Sequence, residues 1–471
     1  MKVILQHMSI YIHNTLTGQK EEFVPIEPNK VSIYSCGPTV YDTAHIGNFR
    51  TFTTNDLVRR VFEYNGFFVK HVMNITDIDD KTIRRSHDEK TTLEKLTRHY
   101  ESLFLADIHS LNILTPNRVL RATDHIKEMV EMISALLEKD IAYVSKDGIY
   151  FSIGKFPEYG KLAKLKIDAM DSSTLHERIA NDEYEKENPR DFALWKFHTE
   201  DDGDIKYDAP FGAGRPGWHI ECSAMATWAL GPSIDIHTGG TDLIFPHHTN
   251  EIAQSEACTN EPFVKYWIHT AFMNVNDTKM SKSKGNFFKL ADIEGAGISP
   301  LAYRYWLLTA HYRSQVNFTI DAVKAAQTAF IRFIETFIRL GEVEHEHIHA
   351  SANPRDYRAE FLAKINDDFN LPEALALSWE LIKDHSVEAH EKVELLLDFD
   401  KVFGLGLQAV MDMKNEEKDS IPLEIKALAE ARELARKNKD FVQADALRSE
   451  IQSRGYDVKD TSDGPILFLI A

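Results

Sequence analysis

Residues 31–50 read VSIYSCGPTVYDTAHIGNFR, and this stretch predicts the fold of the chain. Its apolar start, 31–34, predicts a strand that stops at Cys36, where a Gly-Pro pair begins a turn. After a polar loop with His45, apolar positions at helical spacing predict a helix, and residues 67–72 predict the next strand. This order of elements is typical of a doubly wound α/β fold, which binds ligands at the carboxyl ends of its strands. The apolar face of the predicted helix holds Phe49, Thr53, Leu57 and Val61.

The rest of the chain divides into segments of different periodicity. Its 471 residues indicate about three domains, at ~150 residues each. Strand patterns at 233–237 and 266–272 predict the second half of a parallel sheet, and helical spacing dominates beyond residue 300. The predicted fold class is α/β: a doubly wound, parallel-sheet (Rossmann-like) domain with an insertion, then an α-helical bundle and a small C-terminal α+β module. The predicted boundaries are 1–114 and 216–300 for the two halves of the Rossmann-like domain, 115–215 for the connective insertion, 301–410 for the bundle, 411–420 for a charged linker and 421–471 for the module.

The composition favours a globular protein of a reducing compartment. Hydrophobic residues make up 43% of the chain and charged residues 27%, which are ordinary values. Three cysteines cannot form a disulfide framework in so long a chain, so we expect a cytoplasmic protein. The sequence contains no apolar run of ~20 residues, so it predicts no membrane span. The net charge of −19 argues against broad non-specific binding of nucleic acid, although it is compatible with a local basic face.

Three separate segments carry side chains suited to a metal ion. His247 and Glu251 lie four positions apart on a predicted helix, so their side chains share a face. Cys36 and Cys222 each border an apolar segment, and two thiolates with an imidazole and a carboxylate suit Zn²⁺. On geometry alone Cys258 is a competing ligand. The alternative stays open here, because a lone cysteine is more often a small buried hydrophobe and a His/Glu pair at this spacing more often lies on the surface.

Two further motifs, one on each half of the predicted sheet, suit a nucleotide. His45, Gly47 and Asn48 open the first helix, whose start is expected to offer free N–H groups to a phosphate. Lys279 and Lys282, in the loop after a later strand, would neutralise charge that develops during attack on a phosphate. The alternatives are a simple helix-start histidine and a solvated basic loop, since neither motif is specific by itself.

Taken together, the motifs match a known family. Residues 279–283 are the Lys-Met-Ser-Lys-Ser signature of class I aminoacyl-tRNA synthetases, and 45–48 read His-Ile-Gly-Asn where that class has His-Ile-Gly-His. Within the class, the chain resembles the cysteinyl-tRNA synthetases over most of 25–410 and more loosely over 421–471. An amide at Asn48 can still hydrogen-bond a phosphate oxygen but cannot carry charge. The segments specific to cysteinyl-tRNA synthetases are 34–42 (YSCGPTVYD), 74–81 (NITDIDDK), 217–225, 239–251 and 368–370 (DFN).

The resemblance implies a catalytic domain and a role for each residue singled out above. It implies one zinc ion per chain, not bound by Cys258; its ligands would be Cys36, Cys222, His247 and Glu251. It also implies that Thr76 and Trp218 line the pocket for the substrate cysteine, and that Asp242 lies near either the amine of that substrate or the ribose. The residues implied to hold ATP, with its Mg²⁺, are His45, Gly47, Asn48, Gly240, Asp242, Lys279, Ser281 and Lys282. Those implied to act in catalysis are His45, Asn48, Lys279 and Lys282.

The implied reaction is the ligation of L-cysteine to tRNA(Cys) by an enzyme that we expect to be a monomer. The cysteine carboxylate would attack the α-phosphate of ATP, and the 3′-terminal adenosine of the tRNA would then take the cysteinyl group. Pocket shape alone separates near-isosteres by only about 10²-fold. We therefore hypothesise that the substrate thiolate ligates the zinc, which excludes serine without an editing domain.

Two other functions compete with this one. A related cysteine ligase of mycothiol synthesis acts on an amino sugar, but that activity gives no reason for the helical bundle and the C-terminal module. A non-catalytic tRNA-binding paralogue is disfavoured because the 279–283 motif, His45 and the four candidate metal ligands are all present. Residues 421–454 resemble the anticodon-binding module of the family, although a plain amphipathic helical hairpin explains the same spacing.

Overall fold

The computed structural model describes residues 9–165, 191–279, 286–343, 355–420, 422–461 and 464–469. In chain order the strands are β1 (Tyr11–Asn14), β2 (Gln19–Glu22), β3 (Lys30–Ser35), β4 (Phe68–Ile75), β5 (Arg118–Arg121), β6 (Ala142–Val144), β7 (Gly148–Phe151), β8 (Phe192–Phe197), β9 (Gly214–Pro216), β10 (Ile234–Gly240), β11 (Val264–Thr270), β12 (Met273–Val275), β13 (Thr278–Lys279), β14 (Val316–Phe318), β15 (Tyr456–Thr461) and β16 (Gly464–Leu469). The helices are α1 (Ile46–Tyr64), α2 (Asp80–Asp88), α3 (Leu93–Ser110), α4 (Ile126–Glu138), α5 (Trp218–Leu230), α6 (Thr249–Thr259), α7 (Leu290–Gly295), α8 (Pro300–Leu308), α9 (Ile320–Gly341), α10 (Tyr357–Ile365), α11 (Leu371–Lys383), α12 (Ala389–Phe403), α13 (Leu407–Ser420), α14 (Leu423–Lys437) and α15 (Phe441–Ser453).

A five-stranded parallel sheet in the order β11-β10-β3-β4-β5 confirms the predicted fold class. β10 buries all seven of its residues and β3 buries four of six, as expected of strands covered on both faces. The chain runs outward from β3 through β4 to β5, and later returns on the other side of β3 as β10. The strand order therefore reverses between β3 and β10, and this is the position at which doubly wound sheets bind ligands.

The stretch predicted as the insertion, 115–215, shares its first strand with this sheet. β5 pairs in parallel with β4, and only the chain after it leaves the parallel sheet. β6 and β7 form a hairpin, and β8 and β9 extend it into a four-stranded antiparallel sheet. Because β5 has only four residues, its periodicity is too short to read from sequence.

Two helices differ from what the sequence predicts. α2 was not predicted, since it is short and polar, yet Asp79 caps it by accepting a hydrogen bond from the Thr82 amide. The helix predicted to carry His247 and Glu251 begins at Thr249, and a wider π-helical turn, Ile244–His248, precedes it. No helix in the described part of the chain is long and apolar enough to cross a membrane.

The chain forms two compact units, residues 1–327 with 359–375 and residues 328–358 with 376–471. In the second unit the predicted linker at 411–420 is instead helical, as the second half of α13. Lys and Glu favour helices, so a charged run is also compatible with an exposed helix. The predicted C-terminal module is present as the α14–α15 hairpin and the antiparallel pair β15–β16. Its small core contains Ile425, Ala429, Ile451 and Val458.

Candidate functional site

Four candidate metal ligands from different elements meet where the strand order reverses. Cys36 follows β3 directly, Cys222 lies in the second turn of α5, and His247 and Glu251 flank the start of α6. The sulfur atoms of Cys36 and Cys222 are 3.9 Å apart. Glu251 Oε1 lies 3.7 Å from the Cys36 sulfur and 3.1 Å from His247 Nε2. One donor atom from each of the four residues lies within 4.8 Å of all the others.

A second group of donors overlaps the first. It keeps Cys36 and Glu251 but replaces the other two residues with His237 of β10 and His248, and its atoms also lie within 4.8 Å of one another. The Cys36 sulfur is 3.4 Å from His248 Nε2. All members of both groups are buried. The geometry therefore admits two ligand sets for one ion, centred on the same cysteine and the same carboxylate.

Hydrogen bonds orient the donors and distinguish the two sets. His237 Nε2 lies 2.9 Å from Glu251 Oε2, which leaves Oε1 directed at the sulfurs. His247 Nδ1 lies 2.9 Å from His219 Nδ1, so its Nε2 faces the cluster. His248 Nδ1 is 2.8 Å from His269 Nε2. A metal-binding imidazole normally uses its second nitrogen in such a bond, which fixes the ring orientation.

The electrostatics of the first set suit a cation. Burial favours the neutral acid of Glu251, but His237 and His247 outweigh it and lower the pKa of this carboxyl to about 2. Burial also opposes ionisation of Cys222, but hydrogen bonds from Cys36 and His247 lower its pKa to about 6. Burial opposes the charge on His247 as well, yet Glu251 and Cys222 raise its pKa to about 10. Burial and the nearby thiol of Cys222 raise the pKa of Cys36. A proton on His247 thus partly neutralises a negative cluster, and a bound cation would take over this role.

The predicted substrate-pocket residues Trp218 and Thr76 lie beside the cluster. The half-exposed Trp218 ring stacks on His247, with centroids 4.3 Å apart and an angle of 29° between the planes. Thr76 is buried, and its hydroxyl donates to Glu221 Oε2 at 2.8 Å. Burial and the neighbouring Cys222 raise the pKa of the Glu221 carboxyl well above its usual range.

Gly240 and Asp242 lie at and just after the end of β10. A Cβ on Gly240 would lie 2.3 Å from Asp242 Oδ1 and 3.7 Å from Thr51 Oγ1 of α1. The absence of a side chain on Gly240 is therefore what lets the Asp242 carboxylate approach the strand end beside α1. Asp242 itself is exposed.

His45 and Asn48 cap α1 reciprocally. The backbone N–H of Asn48 donates to His45 Nδ1 at 3.2 Å, and the backbone N–H of His45 donates to the side-chain Oδ1 of Asn48 at 3.1 Å. This capping box places the proton of the neutral His45 ring on Nε2. The prediction of free amides at this helix start is partly wrong, because the Ile46 amide also donates, to the Phe288 carbonyl at 3.0 Å.

The second signature begins at the end of β13. The Lys279 backbone ends this strand, which pairs with β12, whereas Ser281 and Lys282 lie outside the described residues. Beyond them the chain returns to the first signature, since Lys289 forms a β-bridge with His45 and the Phe287 ring contacts the His45 ring at 5.1 Å. The chain that follows the second motif therefore reaches the start of α1, where the first motif lies.

Sequence reasoning missed several buried residues around the cluster. Glu221 and His219 touch the predicted residues Thr76 and His247, and His269 touches His248, but none of the three carries a spacing signal of its own. The His-His pair at 247–248 was a signal for His248, since adjacent residues can both reach a site when the helix is irregular. Cys258, the competing ligand, is half-buried and belongs to neither donor group. Burial raises the pKa of its thiol.

Comparison with known families identifies two matching segments. Residues 22–328 match the family described as tRNA synthetases class I (C) catalytic domain. Residues 418–464 match the family described as cysteinyl-tRNA ligase anticodon binding domain. The first match contains the whole candidate site, and the second covers most of the C-terminal module.

Curated relatives match over nearly their full length. The cysteine–tRNA ligase of Brachyspira hyodysenteriae is 44% identical, covering 97% of this chain and 98% of that protein. The cysteine–tRNA ligase of Opitutus terrae is also 44% identical, covering 97% and 98%. Among solved structures, Mycobacterium tuberculosis methionyl-tRNA synthetase in complex with methionyl-adenylate matches with a TM-score of 0.58 at 14% identity, covering 81% of this chain and 93% of that one. At this identity the structural match supports the fold alone.

Proposed function

The chain belongs to the cysteine–tRNA ligase family of class I aminoacyl-tRNA synthetases, and on this premise we propose which residues carry each part of the reaction. The enzyme activates cysteine with ATP and charges tRNA. In the first step the cysteine carboxylate forms a bond to the α-phosphorus, and pyrophosphate leaves. In the second step a ribose hydroxyl at the tRNA 3′ end attacks the carbonyl carbon, and AMP leaves.

Cys36, Cys222, His247 and Glu251 are the proposed zinc ligands. Two sulfurs, one imidazole and one carboxylate, all buried and within 4.8 Å, are a donor set that Zn²⁺ prefers. We favour this set over the one with His237 and His248 because His237 already bonds the second oxygen of Glu251, and a metal-binding carboxylate needs such support. When bound, zinc would supply affinity for a thiolate that a serine hydroxyl does not match.

The substrate cysteine would lie between Trp218 and Thr76. The stacked Trp218 covers His247 on the solvent side and would exclude water from the bound thiol. Thr76 keeps its hydroxyl directed by Glu221, so its position is set by a buried partner. Asp242 is proposed to bind either the substrate amine or the ribose, since its exposed carboxylate lies at the carboxyl end of β10, beside α1.

ATP would bind between the start of α1 and the strand end that carries Lys279. His45 can donate from Nε2 to a phosphate oxygen, because its Nδ1 accepts from the Asn48 amide. Gly47 and Gly240 would let the nucleotide approach the backbone. Lys279 and Lys282 would neutralise charge on the leaving pyrophosphate, together with the Mg²⁺ that accompanies ATP. The hydroxyl of Ser281 would donate a hydrogen bond to a phosphate oxygen.

The C-terminal module would contact the tRNA. Its match to an anticodon binding domain supports tRNA, rather than an amino sugar, as the acceptor of the cysteinyl group. The proposed function as a whole rests on one observation, the convergence of the four donors at the point of the sheet where ligands are expected.

The test is cysteine-dependent ATP–pyrophosphate exchange, followed by transfer of labelled cysteine to tRNA. We expect exchange with cysteine, little with serine, and efficient transfer. Cys36→Ala should lose zinc and the preference for cysteine, because Cys36 belongs to both possible donor sets. Cys258→Ala, the matched control, should keep both. Exchange without transfer would favour the amino-sugar ligase, and an unchanged selectivity of Cys36→Ala would overturn the zinc hypothesis.

A further inference from the structure

Arg50 makes an unusual set of hydrogen bonds from within α1. The residue is only 4% exposed, and its guanidinium donates to backbone carbonyls alone. Nη1 donates to the carbonyls of Ala271 and Phe272 at 2.9 and 2.8 Å. Nη2 donates to the carbonyls of His311, at 3.3 Å, and of Tyr312, at 3.4 Å, and it also bonds the Ser314 carbonyl. Arg60 and Arg304, by contrast, form ion pairs with Asp56.

The carbonyls that Arg50 binds all lie just before two strands of one small sheet. Residues 271–272 lead into β12, and residues 311–314 lead into β14, which pairs in parallel with β12. β12 also pairs with β13, whose last residue is Lys279. The Arg50 guanidinium therefore bonds both segments that lead into β12 and β14. These strands belong to the same small sheet as β13, which ends at Lys279. Arg50 itself lies on α1, the helix that His45 caps.

We propose that Arg50 is a positioning residue for cysteine activation, which fixes the β12–β13 strand pair, and with it Lys279, relative to His45. The inference rests on the proposed function, in which His45 and Lys279 act on ATP. Arg50 itself lies within the protein and would touch neither cysteine nor ATP. Its effect would be on the geometry of the two signatures, and a misplacement of about 1 Å can cost about 10²-fold in rate.

A second, independent contact links the same elements. The Tyr303 hydroxyl of α8 donates to the carbonyl of Ile46, the residue next to His45, at 2.8 Å. The same hydroxyl lies 3.9 Å from the sulfur of Met273, the first residue of β12. Tyr303 is fully buried. The start of α1 is thus tied to β12 from two sides.

The chemistry of the guanidinium explains why this position needs arginine. Burial lowers the pKa of Arg50 to about 10, which keeps the group charged at neutral pH. A buried charge is costly unless its donors are satisfied, and only a planar fork can bind five carbonyls on two segments at once. Lysine keeps the charge but has three donors on one atom, so it cannot reach both segments in the same geometry.

The experiment is a double-mutant cycle with Arg50→Lys and Lys279→Ala, read by ATP–pyrophosphate exchange. We expect Arg50→Lys alone to lower the exchange kcat by about tenfold or more, with the cysteine KM changed by less than about twofold. In the Lys279→Ala background, Arg50→Lys should lower the exchange kcat by less than about twofold, because the side chain that Arg50 is proposed to position is absent. Multiplicative effects of the two substitutions, or a cysteine KM that rises as kcat falls, would overturn the inference.

Arg304→Lys is the matched control for stability. Arg304 is as deeply buried and binds Asp56 of α1 and the carbonyls of Leu111 and Asn112. We expect it to lower Tm at least as much as Arg50→Lys while leaving the exchange kcat within about threefold. An equal loss of kcat in both variants would mean that Arg50 acts through stability alone and would overturn the inference.

Two further measurements keep the test decisive. If Arg50→Lys does not fold, Tyr303→Phe removes only the second link and should give a smaller loss of kcat that also disappears with Lys279→Ala. A loss that persists there would contradict the inference. Full exchange by Lys279→Ala alone would instead reject the proposed role of Lys279, which separates failure of the proposed function from failure of the inference.

Discussion

The sulfur of Cys36 lies 3.9 Å from the sulfur of Cys222, although 186 positions separate them in the chain. Cys36 follows a strand of the first half of the sheet, and Cys222 lies on a helix that leads into the second half. The donor cluster therefore exists only after both halves have folded together. An ion bound there would stabilise the folded state and not the unfolded chain.

Removal of the metal should accordingly lower the stability of the protein. We expect the zinc-loaded protein to lose several degrees of Tm when it is treated with a strong chelator, because ligand binding to the folded state alone shifts unfolding to higher temperature. Differential scanning calorimetry with and without chelator measures this shift, and added zinc should reverse it. Cys36→Ala is the control, since a variant that binds no zinc should be insensitive to the chelator. An equal shift in that variant would place the stabilising ion elsewhere.

The neighbouring histidines at 247 and 248 decide between the two possible ligand sets. His247 faces Glu251 at 3.1 Å, whereas His248 faces the Cys36 sulfur at 3.4 Å. Burial and the surrounding histidines hold the pKa of His248 well below its usual range, so that ring is neutral in either case. We expect His247→Asn to lower the affinity for zinc by about 10-fold or more and His248→Asn to keep most of the parent's affinity. Metal analysis after dialysis against a zinc buffer measures both, and the opposite ranking would favour the set with His237 and His248.

Local patterns predicted four of the five strands of the parallel sheet because each of the four contains a short apolar run, whereas the four-residue β5 was missed. The end of β3 at Cys36 and the start of α1 near His45 are fixed by the Gly-Pro turn and by helical spacing, which sequence displays directly. The small polar α2 was missed because no apolar period marks it. The convergence of Cys36 with Cys222 could not be derived from spacing, since it depends on the order of strands, and only the family resemblance supplied it.

The residues that surround and orient the site residues are even harder to recognise from sequence. His237 lies on a fully buried strand, so its position carries no alternation that would separate a functional histidine from a core residue. Arg50 looks like an ordinary polar residue on a helix, and only the structure shows that five carbonyls surround it. Residues whose role is to hold other groups are recognised by their partners, and the partners are distant in sequence.

The capping box of α1 predicts the effects of substitutions at Asn48, which stands where class I synthetases have histidine. Asn48→Ala removes the oxygen that accepts from the His45 amide, so we expect a loss of about 1 kcal/mol in the free energy of unfolding. Asn48→His offers a ring nitrogen as acceptor, and we expect its ATP KM and exchange kcat to stay within about threefold of the parent. Urea unfolding and exchange kinetics measure the two effects. A large rise in the ATP KM of Asn48→His would show that the amide contacts the nucleotide in a way that an imidazole cannot.

The half-buried carboxyl of Asp107, on α3, predicts a pH-dependent stability. Burial and the neighbouring Glu294 raise the pKa of Asp107 to about 6, whereas an unfolded aspartate titrates near ~3.9. Between these values the folded state binds more protons, so the stability that protonated Asp107 contributes is present at low pH and is lost as the pH rises through about 6. Asp107→Asn is neutral throughout, and we expect it to raise the free energy of unfolding by about 1 kcal/mol at pH 7.5, a value reduced for partial exposure, and by almost nothing at pH 4.

Urea unfolding of Asp107→Asn and the parent at both pH values measures this difference directly. Glu294→Gln tests the cause, because removal of the like charge should also stabilise the protein at pH 7.5, though by less, since burial is the larger cause of the shift. The two substitutions should be less than additive, because a neutral amide at position 107 no longer feels the Glu294 charge. An equal gain for Asp107→Asn at pH 4 and pH 7.5 would assign the effect to the intrinsic preferences of the side chains, and titration of Asp107 would then not contribute.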